Sequence, residues 1–170
     1  MPDELVRRRV RTYDRIVRLS ANRFGGQGIP ALTTLFDSVD QRVRDGASDA
    51  DATLVVVENF ERAGAAVNER TAPLVPASGL VVTASGLLAP LSDAASTLVF
   101  TAMLFSILGL TFLTAALFTN AGRREVGLPP TRDDVAFAHR RLLYKEGNAR
   151  IGSVCFGLGL LLLIAAILSI

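Results

Sequence analysis

Three apolar runs, residues 74–91, 98–118 and 151–170, fill the second half of this 170-residue chain, and none contains Asp, Glu, Lys, Arg or His. The two later runs meet the need for about 20 consecutive apolar residues in a membrane-spanning helix. An all-α membrane protein with three transmembrane helices is therefore expected. Residues 1–72 hold most of the acidic groups and no apolar run longer than four residues. That pattern suits a short cytoplasmic set of amphipathic helices better than an independent globular core.

The formal charge of +2 conceals a segregated pattern. Residues 1–24 carry seven Arg against Asp3, Glu4 and Asp14; residues 25–72 carry four Arg against eight acids; residues 119–150 carry seven basic groups against four acids. Positive charge favours the cytoplasmic side of a membrane. If only the two later runs crossed, the two basic blocks would fall on opposite sides. Three crossings put both inside, with the N-terminus cytoplasmic, the Ser92 to Ser96 turn outside and the C-terminus outside the inner membrane. The first run is the doubtful one: 18 residues interrupted by Pro76 and Pro90 rise only about 27 Å as a helix. A re-entrant or interfacial segment is the alternative.

The charged sequence ahead of the first run predicts no signal peptide. The single cysteine, Cys155, predicts neither a disulfide framework nor a thiolate metal cluster. From Asp3 to Phe24, an apolar arc of Leu5, Val6, Val10, Tyr13, Ile16 and Val17 opposes Arg7, Arg8, Arg11, Arg15 and Arg18, which predicts an amphipathic helix. Gly25, Gly26 and Gly28 end it; without a preceding strand or a following Lys-Ser or Lys-Thr, they read as a joint rather than a phosphate loop.

A second helix is predicted over Ala31 to Arg44, with Leu32, Leu35, Phe36, Val39 and Val43 as its core face and Gly46 as its stop. A third, over about residues 49–70, begins at an S-x-x-D cap of Ser48 and Asp51 and buries Val56, Phe60, Ala63 and Val67. The β-branched Val55 to Val57 would suit a strand, but no partner strand is visible. After Pro129 and Pro130, Thr131 and Asp134 open a further helix that carries Val135, Phe137, Leu142 and Leu143. It is expected to run through Asn148 and Arg150 into the last span, with Gly147 and Gly152 as weak points.

The Arg face of the first helix, with Arg141 and Lys145 beside the last span, points to contact with anionic lipid or a cytoplasmic partner. Few aromatic side chains accompany these charges, which argues against nucleic acid. His139 stands among Arg140, Arg141 and Lys145 without an acceptor to orient it, so neither a catalytic base nor a metal site is expected. No cofactor is expected either. The spans lack the ionisable groups that mark transporters. They hold small-residue pairs instead: Gly79 with Thr83, Ser85 with Ala89, Ser153 with Gly157, and Cys155 with Gly159. Such pairs allow close helix packing, within one chain or between copies.

Asn68-Glu69-Arg70-Thr71-Ala72 leads into the first span, a second span follows almost at once, and Lys145-Glu146-Gly147-Asn148-Ala149-Arg150 precedes the last. This layout, over about residues 60–170, resembles the small transmembrane effectors of bacterial cyclic-nucleotide anti-phage systems, the Pycsar-type and related membrane effector domains. Arg70 stands where those proteins tend to carry Lys, and the N-terminal helices have no counterpart among them. The resemblance implies a protein that answers a cytoplasmic signal by assembling in, and impairing, the inner membrane.

The residues alone lead to a non-catalytic integral membrane protein that binds a partner or lipid and assembles into an oligomer. An accessory subunit of a larger transport or secretion complex is the alternative. A soluble module would require all three runs to be buried core.

Overall fold

The computed structural model describes residues 32–89, 96–119 and 129–169. Its regular elements are helical: α1 (Leu32–Arg44), α2 (Asp49–Thr71), α3 (Leu74–Leu88), α4 (Ser96–Phe118) and α5 (Arg132–Leu168). The basic helix expected over Asp3 to Phe24, the glycine joint after it and the turn around Asp93 lie outside the described residues.

Among the described residues, three helices are long and apolar enough to cross a membrane: Asp49–Leu88, Thr97–Phe118 and Arg132–Leu168. The first combines α2 and α3 across a two-residue turn at Ala72 and Pro73. Proline has no N–H for the helix ladder, yet its φ of −70° remains helical, so the break is local. The strand alternative for Val55 to Val57 fails, because all three lie inside α2, with Val56 and Val57 buried and Val55 exposed. The last helix runs unbroken through Gly147 and Gly152.

The chain divides into two compact units: residues 1–67 with 119–147, and residues 68–118 with 148–170. In the first unit, local chemistry fixes the helix ends. Gly46, at φ +98°, closes α1: its N–H donates to the Val43 carbonyl at 3.1 Å, while the Ala47 N–H donates to the Arg42 carbonyl at 3.0 Å. This is a Schellman ending. The Asp51 N–H donates to Ser48 Oγ at 3.1 Å, and that hydroxyl donates to Asp51 Oδ2 at 2.6 Å. At the start of α5, the Thr131 N–H and hydroxyl both donate to Asp134 Oδ2, at 2.7 and 2.9 Å. Arg132 then pairs with Asp40 of α1 at 2.7 Å and with Asp49 of α2 at 3.0 Å, linking three elements.

The core of this unit holds Val39, Ala52, Val56, Val57, Phe60, Val67, Val135 and Leu142. Of the apolar residues expected on these helices, Leu35, Phe36, Ala63 and Leu143 are only half-buried, and two are not buried at all. Val43 lies in the last turn of α1 and Phe137 on the outer side of α5, and both are exposed.

In the second unit, Val81 of α3, Ala102 of α4 and Leu163 of α5 form a buried cluster, with Ala84, Leu88, Phe156 and Leu162 around it. Val99 and Ala166 form a second, beside Leu88 and Leu98.

Candidate functional site

The spans show an inverted distribution of side chains. Ser78, Ser85 and Ser106 are fully buried, while Leu80, Leu87, Phe100, Leu104, Leu108, Leu161 and Leu168 are between 46% and 82% exposed. A protein folded in water places such groups the other way round, and an exposed apolar patch of this extent calls for a partner or a lipid solvent. Four hydroxyls along the spans are satisfied within their own helices. Ser85 donates to the Val81 carbonyl, Ser106 to Ala102, Thr111 to Ile107 and Ser153 to Ala149, each at 2.8 to 2.9 Å. Back-bonding of this kind removes free donors from an apolar surround. Ser78 Oγ is buried without a partner.

The small residues fall into two groups. Gly109, Gly152 and Gly159 lie where α4 and α5 meet. A Cβ at Gly152 would stand 2.7 Å from Leu113 Cγ and 2.9 Å from the Leu113 backbone nitrogen. One at Gly109 would lie 3.0 Å from the Phe156 nitrogen, and one at Gly159 would collide with the Ser106 hydroxyl. Gly79 and Gly157, by contrast, have no atom within 4 Å of where a Cβ would be, and Gly86 is the same. Thr83 is exposed and Ser153 half-buried. Of the glycines named as packing residues, Gly159 meets α4, whereas Gly79 and Gly157 have open space where a Cβ would be. Gly109 and Gly152 belong to the crossing as well; nothing in the sequence singles out Gly109, and Gly152 reads there only as a weak point of its helix.

The first unit holds the described part of the basic cluster; Arg7, Arg8, Arg11, Arg15 and Arg18 lie outside the described residues. Arg141 and Lys145 are one turn apart on α5. Arg141 Nε donates to the Thr119 carbonyl at 3.0 Å, capping the residue that follows α4. Lys145, expected from sequence as a contact for lipid or a partner, is only 4% exposed. Its distal carbons and ammonium pass over Gly64 of α2, with Nζ 3.9 Å from where a Cβ there would be. Desolvation, and then the like charge of Arg141, hold its pKa below the ordinary lysine value. His139 meets Phe60 edge-on, with ring centroids 5.9 Å apart.

Among the described residues, no three His, Cys, Asp or Glu side chains converge as a metal site would require. No family model matches the chain, and no curated protein or solved structure is detectably similar to it. What the geometry offers is an apolar exterior, an interior in which Ser78, Ser85 and Ser106 lie among Val81, Val99, Leu113 and Leu163, and a largely buried lysine.

Proposed function

We propose that this is a non-catalytic, multi-pass protein of the inner membrane, with its N-terminus and both basic blocks cytoplasmic, its C-terminus outside, and its spans assembling with other copies. The observation that carries this reading is the outer face of the spans, where large apolar side chains such as Leu80, Leu87, Phe100, Leu161 and Leu168 stand exposed while Ser78, Ser85 and Ser106 are buried. Lipid is the solvent that makes such an arrangement stable. The open faces at Gly79, Gly86 and Gly157 favour self-assembly, since they permit the close approach that the chain itself uses at Gly152 and Gly159.

The basic N-terminal block engages anionic lipid or an acidic partner, and assembly impairs the membrane, as the resemblance of the layout to anti-phage membrane effectors implies. The test is membrane potential, followed with a voltage-sensitive dye, in bacteria induced to make the intact chain, with an Arg7, Arg8, Arg11, Arg15 and Arg18→Gln variant alongside. Expression-dependent depolarisation is expected, altered in the variant. An unchanged potential at high, carbonate-resistant expression would sink the effector role. The same open glycine faces suit a foreign transmembrane helix equally well, so stable co-purification with a larger membrane protein would then make the chain an accessory subunit.

A further inference from the structure

We infer that the interior of the spans binds a water molecule, in a layer formed by Ser78 of α3, Ser106 of α4 and Gly159 of α5. The register follows from the two buried clusters of this unit. Val81, Ala102 and Leu163 meet in one, and Val99 and Ala166 meet beside Leu88 in the other. From the first cluster to the second the numbering rises along α3 and α5 and falls along α4, so α4 runs antiparallel to both. One turn back from Val81 is Ser78, one turn on from Ala102 is Ser106, and one turn back from Leu163 is Gly159. These three residues therefore share a layer. Ser106 is pressed against Gly159, where a Cβ would collide with its hydroxyl. All three are buried, Ser78 and Ser106 completely.

The layer differs from its neighbour in volume and in chemistry. Two serines and a glycine bring far less side chain to it than Val81, Ala102 and Leu163 bring to the next. Ser106 Oγ donates to the Ala102 carbonyl at 2.8 Å, which commits its proton and leaves its lone pairs to accept. Ser78 makes no such bond. Its Oγ is buried and, among the described residues, has no partner, although Ser85, two turns further along α3, donates to the Val81 carbonyl at 2.8 Å. An unpaired hydroxyl in an apolar surround is strongly disfavoured.

A water supplies both missing roles. It accepts from Ser78 and donates to Ser106 Oγ, and its second proton goes to a helix carbonyl such as that of Leu74, one turn before Ser78, which has a second lone pair. The three apolar runs carry no charged side chain to hold an ion in place of water. Bridged in this way, α3 and α4 are tied at one register, where apolar contact alone would let them slide. The site does not depend on what surrounds the bundle, so its test is separate from that of the membrane reading.

The test is X-ray radiolytic labelling of the intact chain in detergent micelles, read by mass spectrometry, with Ser78→Ala and Ser85→Ala alongside. Hydroxyl radicals formed from a bound water oxidise the side chains beside it, even those shielded from bulk solvent. Val81 and Leu163, 7% and 5% exposed, are expected to be labelled in the wild type and in Ser85→Ala but not in Ser78→Ala. Urea unfolding in the same micelles gives an independent reading. With the water bound, Ser78→Ala loses a hydrogen bond, and the folding equilibrium constant should fall about threefold to tenfold. With Ser78 unpaired, the same substitution removes a buried polar group and the constant should rise.

Labelling that survives in Ser78→Ala, or that is absent from the wild type, would overturn the site. So would a Ser78→Ala chain at least as stable as the wild type. Loss of labelling in Ser85→Ala as well would overturn it by assigning the signal to the packing of α3 as a whole.

Discussion

Glycine serves two purposes in this chain, and substitution separates them. Gly46 is needed for its backbone: at φ +98° a side chain is strained, so Gly46→Ala should cost about 1–2 kcal/mol in urea unfolding and speed amide exchange over residues 42–47. Gly152 is needed for its lack of volume. Gly152→Ala places a methyl 2.9 Å from a backbone nitrogen of α4, which cannot swing aside, and should destabilise the bundle by about 1–3 kcal/mol. Gly157→Ala meets open space, so it should be neutral or, through helix propensity, stabilising by up to about 1 kcal/mol. Unfolding in mixed micelles followed by circular dichroism would compare them. Lys145 adds a pH signature: because its folded-state pKa lies below the unfolded value near 10.5, the charged form is disfavoured by folding. The penalty is fully present below the folded pKa and is relieved as pH rises toward 10.5, so stability should climb over that window. Lys145→Met should flatten this slope.

Helix ends were the most legible part of the elements, because capping is local chemistry. Ser48 with Asp51, Thr131 with Asp134, and Gly46 after Arg44 all act where spacing alone placed them. Core faces were read less well. Val43 and Phe137 fit the helical period, but period fixes only which residues share a face, not how far along the helix its neighbour reaches. The ion pairs of Arg132 join residues 92 and 83 positions apart and have no signature at short range. Since all three side chains are about half exposed, the link is screened by salt. Arg132→Ala should therefore quicken hydrogen exchange in α1 at low ionic strength and change little in about 1 M salt, where the wild type has lost the same contact.

For the whole molecule, the sequence announced how much apolar surface there is, and the structure shows which of it is left uncovered. Runs without charge identified the spans, but a run has no inside or outside until its helices are packed. Gly157 and Gly159, two residues apart in small-residue pairs of the same kind, looked alike, yet the first faces open space and the second meets Ser106. The outward faces also supply the sharpest test of the lipid environment. Leu161 is 64% exposed and stands near the middle of the apolar part of α5. If that face meets hydrocarbon, Leu161→Arg puts a charge near the bilayer centre, which on translocon-based scales costs about 2.5–3.5 kcal/mol at a helix centre. Glycosylation mapping of membrane insertion should then show the last span inserting much less often. Arg141→Gln, outside the apolar part, should leave insertion efficiency nearly unchanged. If the same face met water instead, Leu161→Arg would leave the fold intact and increase solubility, and the three apolar helices would have to be a soluble core awaiting a partner.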